Sequence, residues 1–172
     1  MKTIKFRGIS IADGTMKTGS LYIGNINGQP LYAILTDEDC VVDSQLDSDA
    51  AFVLSLDEFH PVRPETVGQF LMNDSKGNPV YEGDIVRQHY SVTEEGADGL
   101  PTTIEGFHVG TARLTCEGAQ LSNLRHYDAD GSLKEVQPHK SKRIQMRSRR
   151  CEVTGCIHYK GYEDTETQET TI

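Results

Sequence analysis

The chain has 172 residues, a net charge of −9, 36% hydrophobic and 7% aromatic residues, no Trp and 16 Gly. That length suits one ordinary domain or two very small ones, and it is enough to bury a core. Sparse apolar content with frequent glycine favours strands and turns over long helices, and no apolar run approaches the about 20 residues needed to cross a bilayer.

In chain order, the opening MKTIKFRGIS is interrupted by Lys5 and Arg7 and does not read as a secretion signal. Lys2–Gly8 alternates, with Ile4 and Phe6 on one face, and predicts a half-buried strand. Gly19–Leu35 predicts a hairpin around Asn27-Gly28, a dipeptide that tolerates positive φ at both central positions. Pro30 lacks an N–H and belongs at a strand edge or start. Thr36–His60 holds eight acidic residues and no Lys or Arg; within it Ala50–Leu56 is a short apolar run. Thr66–Met72 predicts a strand, Asn73–Pro79 a turn cluster, and Asp84–Val92 a further strand.

Thr93–Pro101 is polar and reads as a loop. Thr102–Cys116 predicts a strand in which Gly106 and Gly110 mark bulges or close approaches. Leu121 and Leu124 are compatible with a helical turn or two over Gly118–Tyr127. Asp128-Ala129-Asp130-Gly131 predicts a turn. Lys142–Arg150 alternates, with Ile144 and Met146 on one face and Arg143, Arg147 and Arg149 on the other. Glu152–Tyr159 alternates again, with Val153, Gly155, Ile157 and Tyr159 inward, and 161–172 reads as a flexible acidic tail.

The densest motif is Val67–Val86. It joins Val67-Gly68-Gln69-Phe70 through a polar turn to Tyr81-Glu82-Gly83-Asp84-Ile85-Val86. With Ile4-Lys5-Phe6-Arg7 at the start and Glu152-Val153-Thr154-Gly155-Cys156-Ile157-His158-Tyr159 near the end, it resembles the YopX family, small proteins encoded mostly by phages and prophages. Leu71-Met72 stand where that family commonly has Thr-Gly, Cys156 stands for its usual asparagine, and its Glu-Asn-Pro-Glu-Leu ending is absent. The resemblance implies a mainly β, barrel-like fold with little helix and an accessory protein of no agreed biochemical activity. It carries over no catalytic residue.

Several residue groups bear on chemistry. Glu82 and Asp84 offer two carboxylates for a metal-dependent hydrolase, against a structural reading in which Gly83 turns the chain and Asp84 accepts backbone amides. The structural reading is the stronger, because the glycine between them breaks the shared face. Lys134–Arg150 holds seven basic residues against Glu135 alone. Lys140, Lys142, Arg143, Arg147, Arg149 and Arg150 could follow a phosphate backbone, although no aromatic residue lies between Tyr127 and Tyr159 to stack bases. The bland alternative is an ion-paired strand facing an acidic block. Cys151, Cys156 and His158 lack a usual zinc spacing, and Asp128–Gly131 lacks the closing ligands of a calcium loop.

Taken together, the sequence predicts a mainly β chain of small barrel-like or coiled antiparallel sheets with long loops. Residues 1–66 form an N-terminal β segment continuous with a YopX-like β core over 67–160. No catalytic residue, metal or cofactor is expected. The four scattered cysteines suit reduced thiols in a bacterial host cytoplasm. The expected role is a non-catalytic binding or assembly module, forming homo-oligomers through strand edges. Nucleic-acid binding is the alternative, with no membrane partner.

Overall fold

The computed structural model describes residues 4–36, 59–95, 99–134 and 143–158; Ala50–Leu56, Lys140, Lys142 and 161–172 lie outside these. The chain is mainly β, as expected, with eleven strands among the described residues and two 3-10 turns at Pro64–Thr66 and Ser148–Arg150. Among the described residues the ladders are antiparallel and form two sheets, neither of them closed into a barrel. No helix among the described residues is long and apolar enough to cross a membrane. The chain divides into two compact units, Met1–Phe70 and Leu71–Ile172.

The first unit contains β1 (Phe6–Ile9), β2 (Met16–Ile26), β3 (Gln29–Thr36), β4 (Phe59–Pro61) and the start of β5 (Gly68–Asn73), in the order β4-β3-β2-β1-β5. The predicted hairpin is β2–β3, in register from Gly19↔Thr36 to Ile26↔Gln29. Asn27 and Gly28 take φ of 53° and 84°, and the Asn25 carboxamide oxygen accepts the Gly28 amide at 2.8 Å. Ile9, Ala33, Ile34 and Val62 are buried. The first strand departs from its sequence pattern: Ile4 is 58% exposed, whereas Arg7 is buried. β1 is a central strand, and the residues beside Arg7 are Thr18 and Gly68, small enough for a long side chain to lie covered.

The second unit takes the end of β5 through the Asn73–Pro79 turn into β6 (Pro79–Tyr81). It then forms a sheet of β7 (Asp84–Glu95), β8 (Pro101–Thr115), β9 (Gly118–Asp128), β10 (Ile144–Gln145) and β11 (Cys151–Cys156), in the order β10-β9-β8-β7-β11. Its core is Val80, Val86, Ala112, Ala119, Leu121, Met146 and Cys151, with Leu71, Met72, Leu124, Ile144 and Val153 packed against it. β7 runs on to Glu95, into the segment read as a loop.

Gly118–Tyr127 is a strand, not helical turns. Val109 pairs with Arg125 and Thr111 with Ser122, so β9 spends three residue steps where β8 spends two. The extra residue is a β-bulge, with Asn123 at φ 55°. It puts both Leu121 and Leu124 on the core side, and the three-residue spacing that suggested a helix comes from this insertion. Opposite the bulge, a Cβ on Gly110 would lie 2.7 Å from the Ser122 carbonyl oxygen, so the position needs glycine.

Of the strand expected over Lys142–Arg150, the described part from Arg143 to Arg150 is also not one strand. Only Ile144–Gln145 pairs, with Leu121 and Gln120; Met146 enters the core and Ser148–Arg150 coil into a 3-10 turn. β11 ends at Cys156, and Ile157, expected inward, is 44% exposed.

Candidate functional site

The motif corner combines one local bond with three that reach β8 and the end of β11. Gly83 takes φ 84°, its amide donates to the Ala112 carbonyl at 3.0 Å, and its carbonyl accepts the Ile157 amide at 3.0 Å. Asp84 is buried, and its Oδ2 accepts the Tyr81 amide at 2.8 Å. Glu82 Oε1 accepts the Leu114 amide at 3.0 Å. Both carboxylates thus act as backbone acceptors; the sequence reading assigns that role to Asp84 and not to Glu82. Tyr81 is buried. Gly68 and Gln69 belong to the first unit, where they pair with Arg7 and Phe6.

Asp74 does similar work in the β5–β6 turn. Its Oδ1 accepts the amides of Lys76 (2.9 Å) and Asn78 (2.8 Å), and its Oδ2 accepts the Asn78 side-chain amide (3.2 Å) and the Val153 amide (3.3 Å). Burial opposes ionisation of this carboxyl, but the Asn78, Val153 and Lys76 donors outweigh it, and its pKa lies below the usual aspartate value.

The basic segment is held by a residue that drew no notice in the sequence. Buried Gln88 on β7 accepts the Arg147 amide at 2.8 Å and the Cys151 thiol at 3.0 Å through Oε1, and donates from Nε2 to the Gln145 carbonyl at 3.1 Å. Burial pushes the Cys151 thiol pKa up, and the thiol is inert in this setting. Arg143, Arg147, Arg149 and Arg150 are all exposed, but they stand on irregular chain and a 3-10 turn and not in a row along one strand. Lys140 and Lys142 fall outside the described residues.

The two faces of β7–β9 differ in chemistry. The inner face leaves the apolar core through Gln88 and ends at His108 and His126, both buried, with their Nδ1 atoms 2.5 Å apart. One ring must donate and the other accept, and Tyr90 stacks on His108 at 4.5 Å and 19°. The outer face carries two rows that cross three strands. His89, Phe107 and Tyr127 stand directly opposite one another, and beside them stand Arg87, Val109 and Arg125. Phe107 and Tyr127 are stacked at 5.0 Å and 10°, His89 lies 5.9 Å from Phe107, and the Arg87 guanidinium sits 4.8 Å over the Phe107 ring. His89 and Arg125 are exposed; Arg87, Phe107, Val109 and Tyr127 are half-buried.

A third feature belongs to the first unit. β1 covers β2 only from Met16 to Gly19, and β4 covers β3 only from Ala33 to Leu35. Ser20–Ile26 and Gln29–Leu31 therefore form an arm that no other strand among the described residues flanks. It exposes Tyr22 (42%), Ile23 (61%) and Ile26 (57%).

No group of three or more His, Cys, Asp or Glu among the described residues is placed to hold a metal ion. Comparison with protein-family models, with curated proteins and with solved structures gives no match. The ring row and the Gln88 bracket escaped the sequence reading because both depend on cross-strand register. The alternating outward positions of β7, β8 and β9 held the only signal.

Proposed function

We propose that this protein is a phage- or prophage-derived accessory protein of YopX type, acting in the host cytoplasm as a non-catalytic module that assembles with copies of itself through the β2–β3 arm. The origin rests on the motif resemblance. The assembly rests on one observation: among the described residues no strand flanks either side of the arm, which exposes Tyr22, Ile23 and Ile26. Unpaired strand edges bearing apolar side chains are templates for strand addition, and a second identical arm supplies a self-complementary partner. The hydrolase reading of Glu82 and Asp84 has less support, since both carboxylates serve backbone amides and Asp84 is closed to solvent.

Size-exclusion chromatography with light scattering tests the proposal. The wild-type chain is expected to run as a dimer or larger, and the doubly charged variant Ile23→Lys/Ile26→Lys as a monomer with an unchanged far-ultraviolet spectrum. A wild-type monomer at high micromolar concentration overturns it.

A further inference from the structure

We infer that the outer face of β7, β8 and β9 binds single-stranded nucleic acid, with bases on the His89–Phe107–Tyr127 row and phosphates on the neighbouring arginines. This site is separate from the assembly arm and from every residue of the motif corner.

Three observations carry it. First, the row is continuous: direct cross-strand pairing sets His89 against Phe107 and Phe107 against Tyr127, and the last two stack in parallel. The Arg87 guanidinium and the Tyr127 ring lie against Phe107, so a base stacks on the ring faces of the row that these contacts leave uncovered. Second, Arg87 and Arg125 flank the row in the adjacent register, about 7 Å along the strands. A nucleotide laid on a ring thus finds a guanidinium within the reach of its own phosphate. Third, the topology brings the end of the basic segment to the edge of this sheet, beside β7. Cys151 pairs with Gln88, so the exposed Ser148–Arg150 turn lies at the His89 end of β7. The aromatic residues missing from the basic run in sequence are supplied by the strands beside it.

Charge selects the occupant. Among the described residues the carboxylates on this face of β7, β8 and β11 include Glu152, opposite Arg87 and ion-paired with Lys76, Glu105, one pair beyond the ring row, and Glu95 at the far end of β7. Against them stand Arg87 and Arg125 on the same face, with the turn arginines Arg149 and Arg150 at the edge of the sheet. A partner both anionic and rich in flat ring faces fits this combination. A duplex hides its ring faces inside the stack, which leaves the single strand. The acidic chain as a whole gives no long-range attraction to a polyanion, so binding depends on this local set.

Fluorescence anisotropy with the full chain and a labelled oligothymidine of about 15 nucleotides tests the inference. Saturable binding is expected at about 50 mM salt, weakening strongly by about 200 mM. Tyr127→Leu and Phe107→Ala should each weaken it about tenfold or more. Arg125→Ala should weaken it and lower the salt slope by about one. Arg125 is exposed and outside the core, so this variant reports even where Phe107→Ala impairs folding. Absence of binding at low salt overturns the inference. So does equal affinity for an abasic strand of the same length, or tighter binding of a duplex or of polyglutamate.

Discussion

At the residue scale, a few buried polar side chains replace ladder bonds where strands give out. Gln88 makes three contacts to the β10–β11 connection, and no apolar residue of its size could replace them. Gln88→Leu would strand the Arg147 amide and the Gln145 carbonyl, and a loss of about 1–3 kcal/mol is expected by urea denaturation. Asp74 makes a pH-dependent counterpart. Its folded pKa lies below its unfolded value, so its contribution is complete above the unfolded pKa and is lost as pH falls through the folded one. The wild-type urea midpoint should therefore drop between about pH 5 and about pH 3 more than that of Asp74→Asn. The turn around Asp74 and the corner at Gly83 were legible in the sequence because part of their chemistry is local: the Asp74 bonds to Lys76 and Asn78 and the Asp84 bond to Tyr81. Their bonds to Val153, Ala112 and Ile157 were not legible. Gln88 was not, since its partners lie more than fifty positions away.

At the scale of elements, strands with clean alternation and strong turn dipeptides were readable; those with an irregularity were not. The β2–β3 hairpin followed from Asn27-Gly28 and its flanking apolar residues. β9 was misread because the extra residue at Asn123 turned a two-residue period into a local three-residue one. The segment at 142–150 was misread for another reason: alternating Ile144 and Met146 do point to the core, but only two residues find a ladder partner before the chain turns. The bulge itself is testable. Gly110→Ala would press a methyl group into the Ser122 carbonyl and the Leu124 side chain, costing about 1–3 kcal/mol. In a chain that also lacks Asn123 the penalty should largely vanish, which paired denaturation curves of the two backgrounds would show.

For the whole molecule, the sequence conveyed the class of fold and the compositional contrasts, while the surfaces that could act had to await the pairing of strands. The sequence reading makes 1–66 continuous with 67–160; the two compact units meet in sequence inside β5, at Phe70 and Leu71. Each unit carries one candidate surface of its own, an apolar arm in the first and an aromatic and cationic sheet face in the second. The two surfaces share no residue, so charge variants of the arm and ring variants of the sheet should separate self-association from ligand capture. The bulge at Asn123 bears on how such a chain can change over time. Asn123 is a spare link: omitting it alone leaves Leu124 and His126 facing inward, and Arg125 and Tyr127 facing out. A relative one residue shorter there would keep both surfaces, whereas a gap in the regular run from Leu124 to Asp128 would turn the residues beyond it inside out.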